Sequence, residues 1–337
     1  MSDDVRIGLI GAGRIARVHA QAYRAVSRGR IVACTDPVKS VARSLAADYG
    51  FDTAEDFDAL LSDPGIDAVL IATPNDLHAD QTIAALRAGK HVFCQKPIAL
   101  SLADADRVVR EAEASDRIVQ FGFMLRFTPP LPDLQKRIAS GELGDAIAAR
   151  AAVFGWEPSN DWFYDPKHGG GVILDTLVHF GDLVLWLFGP AAQVYTQGGA
   201  YVLDGARRYN SPDNATVTVT HASGVVSSMY VSWTTGYGNF SLDVFGTAGS
   251  STVDLLHSQG SKVFLKPTAA MAGASGWGFP DLVWTYGYTG EQQYFVDRVA
   301  GLEDGKRTAG AAGARSALEL VLAAQHSLDE NRVVTLP

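Results

Sequence analysis

The sequence predicts an α/β protein in two parts, a doubly wound parallel sheet at the N-terminus and then an α+β domain with a large, mostly antiparallel sheet. Three observations carry this. Over the first 124 residues, short runs that are apolar throughout alternate with helical patterns, as parallel strands buried on both faces require. The first of these runs passes through a glycine-rich turn straight into a helix. Beyond residue 125 the runs lengthen, alternate and turn β-branched, with glycine-containing turns between them, which is the pattern of hairpin-connected strands.

In chain order, the first part offers strands at 5–10, 31–35, 68–72, 91–94 and 118–122, with a short one near 51–53. Helical patterns at 15–27, 38–49, 57–61, 77–88 and 102–114 separate them. Ser101 and Asp104 give the last of these a capping box, in which the serine satisfies N–H groups that no helical carbonyl can reach. Pro129, Pro130 and Pro132 then precede a helix ending near Gly141. Strands are predicted at 146–154, 193–203, 215–221, 225–233, 240–245, 251–256 and 262–265, and residues 268–280, rich in Gly and Ala, read as a surface loop. A closing helix places Leu318, Val321, Leu322, Gln325 and Leu328 on one face, so it docks against the rest of the protein. The expected division is a dinucleotide-binding domain over 1–124 and a substrate-binding and oligomerisation domain over 125–337, with its C-terminal helix docking back.

Composition narrows the function. A chain of 337 residues has room for two cores, and 47% hydrophobic with 19% charged residues is ordinary for a soluble globular protein. A net charge of −9 without any Lys/Arg run argues against nucleic acid and acidic membrane surfaces, whose phosphates need a basic footprint. No run approaches the roughly 18 apolar residues of a membrane span. The N-terminus has no basic stretch followed by an apolar core and so does not read as a signal peptide. Cys34 and Cys94 lie in separate apolar runs without metal-ligand spacing; neither a disulfide nor a metal is expected, and a reducing cytoplasm is the expected compartment.

The turn after the first strand reads Gly11-Ala12-Gly13-Arg14-Ile15-Ala16, a Rossmann G-x-G-x-x-A fingerprint opening a helix. Gly11 permits the tight turn, Gly13 lets backbone approach a pyrophosphate, and Ala16 lets helix and strand pack closely. The helix N-terminus offers N–H groups and a partial positive charge to phosphate. Asp36, 20 residues after Ala16 at the end of the second strand, is placed to accept hydrogen bonds from a ribose diol. Its carboxylate would repel a 2′-phosphate, so NAD is expected over NADP.

The remaining motifs resemble the Gfo/Idh/MocA family of oxidoreductases, in family order over nearly the whole chain. They are the fingerprint, Thr73-Pro74-Asn75-Asp76-Leu77-His78, Gln95-Lys96-Pro97, Phe123-Met124-Leu125-Arg126-Phe127, Asp161-Trp162, Gly169-Gly170-Gly171, Asp175-Thr176-Leu177-Val178-His179 and the closing Asn331–Leu336 stretch. The resemblance implies oxidation of a secondary alcohol by Lys96, Asp175 and His179. Histidine suits removal of a hydroxyl proton near neutral pH, and a lysine ammonium suits a developing alkoxide. Asp175 and His179, four residues apart, would share one helix face, after a triple glycine where backbone could approach a ligand closely. The resemblance also implies that Thr73, Pro74, Asn75 and His78 line the cofactor cleft, that Met124 and Arg126 approach nicotinamide or substrate, and that Trp162 covers the nicotinamide end. Tyr286 or Tyr288 could reach the substrate. Taken singly, His179 could face the core, Asp175 could serve the helix dipole, Lys96 could be a solvated loop residue and Trp162 a core residue.

One departure stands out: the family's glutamate before the lysine is Gln95 here, an amide that keeps the shape and could still bond a ribose hydroxyl or the nicotinamide amide. The resemblance favours a dehydrogenase of a sugar, aminosugar or cyclitol assembled as a homodimer or homotetramer. The competing readings are an NAD-dependent glycosidase of the same fold, whose Tyr-Pro-x-His pattern is missing, and a non-catalytic cofactor-binding regulator, which would lack the lysine or histidine. Trp156, Glu157, Asp161, Trp162, Tyr164 and Asp165 combine aromatics and carboxylates suited to a sugar face and an amine, or else are solvated loop charges.

Overall fold

The computed structural model describes residues 4–154, 158, 160–235, 239–255, 261–265 and 286–337; the 268–280 loop and Trp156 and Glu157 lie outside them. The chain divides into two units, Met1–Phe127 with Trp284–Arg315, and Thr128–Val283 with Ser316–Pro337.

In the first unit β1 (Val5–Ile10), α1 (Arg14–Tyr23), β2 (Gly29–Thr35), α2 (Lys39–Tyr49), β3 (Asp52–Thr53), α3 (Phe57–Ser62), β4 (Ala68–Ile71), α4 (His78–Arg87), β5 (His91–Cys94), α5 (Leu102–Glu113) and β6 (Val119–Phe121) follow in order. The six strands are all parallel, in the order β3-β2-β1-β4-β5-β6. Strand order therefore reverses between β1 and β4, and the crevice beyond their carboxyl ends is where such sheets bind ligands. Ser101 caps α5 as its motif predicts, its hydroxyl accepting the Asp104 N–H.

The helix Tyr288–Val299, which the sequence alone leaves in the second part, belongs to this unit. Phe295 and Val296 enter the same core as Ile7, Leu9, Leu45 and Phe93, each such side chain worth about 1.5–3 kcal/mol when buried. Gly29 makes room for it, since a Cβ there would lie 2.5 Å from Val296. Local patterning cannot reveal that a helix so far along the chain completes an early core.

The second unit holds α6 (Leu131–Ala139), β7 (Ala146–Phe154), α7 (Val178–Phe188), β8 (Ala191–Gly199), α8 (Asp204–Tyr209), β9 (Asn214–His221), β10 (Val226–Ser232), β11 (Asn239–Gly246), β12 (Gly249–Asp254), β13 (Ser261–Leu265), the closing helix Ala311–Glu330 from Ser316 onward, and β14 (Val334–Thr335). Its eight-stranded sheet runs β13-β12-β11-β7-β10-β9-β8-β14, and only β7 and β10 pair in parallel. The expected 193–203 strand stops at Gly199, and α8 follows. Asp213 holds that junction, its carboxylate accepting the N–H groups of Tyr201, Val202 and Leu203. From Ser316 onward the closing helix buries Ala317, Leu318, Leu320, Val321, Ala324 and Ser327. Its packed face is thus rotated from the predicted one. Small residues let it approach closely, with Leu320 and Val321 beside Gly181 of α7 and Ser327 accepting the Thr196 N–H.

From the sequence, the alternating apolar residues of 225–233 and 240–245 would leave an uncovered apolar face in a monomer, and the sheet corrects this expectation. Val225, Met229, Val231, Trp233, Leu242 and Val244 all point inward and are buried. The outward row that crosses β11, β7, β10 and β9 reads Phe245, Ala148, Val226, Thr220, and the next reads Asp243, Arg150, Ser228, Thr218. Arg150 and Asp243 are ion-paired. The open face is therefore mixed rather than apolar, although Tyr195, Val226, Tyr230 and Phe245 are exposed on it.

Candidate active site

In the first unit the fingerprint forms the turn it promises. Gly11 sits at φ +91°, where a Cβ would lie 2.6 Å from the Ala72 carbonyl oxygen, so the β1–β4 switch point admits no side chain. Gly13 faces open space, with no atom within 4 Å of a Cβ built there. It precedes α1, whose N-terminus has no side-chain cap and no acidic residue in its first turn. The N–H groups of a helix N-terminus beside open space fit a dinucleotide pyrophosphate. Ala16 is buried, Ile15 packs on the core, and Arg14 is exposed.

Asp36 is fixed by backbone, its two oxygens accepting the N–H groups of Ala12 (2.9 Å) and Val38 (2.8 Å). The remaining lone pairs suit a ribose diol. Lys39, the nearest cation along the chain, donates to the Glu55 carbonyl instead.

The loop after β4 is tied down rather than open throughout. Thr73 donates to Gln81 (2.6 Å), Pro74 is exposed and Asn75 is buried. His78 is wholly buried, with Nδ1 2.7 Å from the Pro97 carbonyl oxygen and Nε2 3.0 Å from that of Thr73. Its ring therefore shapes the expected cofactor cleft from behind instead of lining it. Gln95 is also turned inward, donating its amide to Nε2 of buried His19, whose Nδ1 lies 3.1 Å from the Gln292 amide. That side chain is spent on the protein, not on a ribose or nicotinamide. Lys96, beside it, is partly exposed. Met124 and Arg126 lie buried in the short helix Met124–Phe127. Tyr288 is buried and stands edge-on to His19 at 5.3 Å, within the first unit; Tyr286 is exposed.

In the second unit the turn Ile173–Leu177 is wound as a π-helix, one residue wider than an α-helix, and runs into α7. Along 171–184 every residue is buried except Asp175, Thr176 and His179. These three make a single polar stripe on an otherwise sunken helix. Thr176 is held by Trp233, whose indole donates to its hydroxyl at 2.9 Å.

The triple glycine has another purpose than the one expected. Cβ atoms at 169, 170 and 171 would strike Phe163, Leu174 and Ser211 at 2.1–2.5 Å, so these glycines admit the protein's own chain, not a ligand. Trp162, on the short helix Asp161–Phe163, is partly exposed and edge-on to Phe163 at 4.9 Å. Nearby carboxylates are occupied: Asp161 pairs with Arg208, and Asp165 accepts the Lys167 N–H and meets His168 at 3.1 Å. The backbone bond to Lys167 holds Asp165 below the usual carboxylate range, with His168 adding to it. Neither is offered freely to a substrate amine. A cavity of about 400 Å³ opens beside them, lined in part by Asn160, Tyr164 and Asp204.

His19, Gln292, Thr176 and Trp233 escaped sequence reasoning. In sequence, a histidine six positions into an amphipathic helix is indistinguishable from a core residue. Among the described residues no group of three His, Cys, Asp or Glu could hold a metal, and no helix is long and apolar enough to cross a membrane.

Residues 5–123 match the model of an oxidoreductase family with an NAD-binding Rossmann fold, and 132–252 match the GFO/IDH/MocA C-terminal domain. A scyllo-inositol 2-dehydrogenase (NAD(+)) of Bacillus subtilis is 32% identical over 77% of this chain and 76% of its own length. A 1,5-anhydro-D-fructose reductase of Ensifer adhaerens is 33% identical over 73% and 74%. The crystal structure of a probable dehydrogenase from Thermotoga maritima superposes with a TM-score of 0.84 at 28% identity, covering 98% of each chain.

Proposed function

Because this chain belongs to the Gfo/Idh/MocA family of NAD-binding oxidoreductases, we propose that it oxidises a secondary ring hydroxyl of a sugar or cyclitol to the ketone. The observation that carries the reading is the polar stripe of Asp175, Thr176 and His179 on a helix buried everywhere else over 171–184. A histidine and a carboxylate kept partly exposed there are suited to a hydroxyl proton. Bound NAD supplies the hydride acceptor, held by the Gly11–Ala16 turn and Asp36. His179 takes the hydroxyl proton, Asp175 sets its orientation and charge, and the Lys96 ammonium stabilises the forming alkoxide. The named relatives act on a cyclitol and an anhydro sugar, the substrate class assigned here. Asp161 and Asp165, being paired within the protein, lend an aminosugar no particular support.

The test is a screen of inositols, hexoses and aminoglycosides with NAD, read by NADH absorbance, with Lys96→Ala and His179→Ala alongside. Oxidation that survives both substitutions removes the mechanism. Assembly is part of the same reading: the aromatic and aliphatic side chains on the outer sheet face support a homodimer or homotetramer built on that face.

A further inference from the structure

Lys96 has a neighbour on each side that is held by a wholly buried histidine. Gln95, before it, gives its side chain to His19. Pro97, after it, has its carbonyl 2.7 Å from His78. His19 lies on α1, the helix opened by the glycine fingerprint, and His78 opens α4 three residues after the Thr73-Pro74-Asn75 loop, whose first carbonyl it also faces. The two elements that the cofactor must touch are thus the two that grip the lysine loop.

We propose that His19 and His78 are positioning residues for Lys96, transmitting the seating of the dinucleotide at the Gly11–Gly13 turn and the Thr73–Asn75 loop to the placement of the ammonium. The proposal rests on the reading of Lys96 given above. At His19 the chemistry is that of a neutral ring, whereas His78 faces two carbonyl oxygens and, when neutral, donates to one of them. Burial lowers the His19 pKa to about 3, so the imidazole carries one donor and one acceptor. Its partners, Gln95 and Gln292, are amides, each able to present either end. The His19 half of the link is therefore satisfied without charge, which gives the amide at position 95 a physical reason: a carboxylate there would draw a proton onto a ring with no solvent to stabilise it.

The experiment uses the full chain with and without NAD. Lysines are labelled by reductive methylation with ¹³C-formaldehyde, and the Lys96 signal is assigned by its loss in Lys96→Arg. In the unmodified protein that signal should be distinct from those of solvated lysines and should move when NAD is added. In Gln95→Ala, His19→Asn and His78→Asn it should collapse toward the solvated lysines and lose most of its response to NAD. Turnover on a screened polyol should fall by roughly 10- to 100-fold, as misplacement of a reacting group does, with KM nearly unchanged. His19→Asn combined with Gln95→Ala should cost no more than the worse single change, because both cut one link. Gln95→Ala leaves both histidines in place and decides the matter alone if the histidine variants do not fold. An unchanged Lys96 signal in Gln95→Ala, or additive losses in the double variant, would overturn the proposal. Retained turnover in Lys96→Ala would overturn the assigned function instead, while the NMR response still reports on the linkage.

Discussion

The Asp36 carboxylate accepts the backbone N–H of Ala12 at 2.9 Å, so the residue proposed to hold the ribose also braces the glycine turn. Two effects should therefore appear together in Asp36→Ser. Discrimination against NADP(H) should shrink by on the order of 10-fold, since a repelled 2′-phosphate is worth about a kcal/mol or more near a protein surface. NAD(H) binding should weaken at the same time, because the turn loses its brace. Fluorescence titration with both cofactors measures each effect, and tighter NADP(H) binding by the unmodified protein would contradict the assignment.

Replacing His179 with alanine should leave NAD affinity nearly intact while turnover falls by roughly 10²–10⁴, the usual cost of a lost general base. For the unmodified enzyme, oxidation should rise with pH as imidazole loses its proton, because only the neutral ring accepts another. Steady-state profiles of His179→Ala and Lys96→Ala separate this from proton transfer to the lysine. In that case the His179 variant keeps most of its rate.

Glu291 is buried, and neither carboxyl oxygen has a hydrogen-bond partner among the described residues. Burial pushes its pKa well above the ordinary value. The sign follows: the stability it permits is complete below the unfolded carboxylate pKa and is lost as pH rises toward the folded one, because ionisation is then possible only on unfolding. Glu291→Gln should raise stability at pH 8 relative to pH 5, because an amide has no proton to lose as pH rises. It should also flatten the alkaline decline. Urea melts at pH 5 and pH 8 test this; an equal effect at both would show that the carboxyl does not titrate.

Val226 and Phe245 occupy one outward row of the sheet, either side of Ala148. A Val226→Asp, Phe245→Asp variant should sediment near the 35.9 kDa of one chain while the unmodified protein sediments as a multiple of it. A monomer in both cases would remove the sheet face as an interface.

Much of the fold was legible because its signals are local. β1, β5 and β7 fall on the predicted bounds, and the fingerprint forms its turn, because apolar periodicity and glycine placement act over a few residues. What was not legible depends on partners distant in sequence. The helix Tyr288–Val299 joins a core begun at Val5, and the closing helix is rotated by what it packs on. The site divides in the same way. The Asp175 and His179 stripe follows from spacing, whereas the inward turn of Gln95 and the burial of His78 depend on His19 and Pro97. The glycines at 169–171 misled for a related reason: sequence marks where a side chain is not tolerated, not whether ligand or protein fills the space.

The π-helical turn Ile173–Leu177 sets a limit on how this stretch of chain can vary in length. A π turn is an α-helix holding one extra residue, so deleting one residue within it would let the backbone relax into a continuous helix without breaking the fold. The extra residue is taken up within the turn, so its removal leaves the flanking segments in register and shifts only the residues of the turn itself, Asp175 and Thr176, relative to His179. Homologues able to drop this residue would keep a sound helix but lose the alignment of the stripe. Single-residue deletions here should therefore yield well-folded, inactive protein, whereas reinsertion of one residue in the turn should restore the stripe and, with it, turnover.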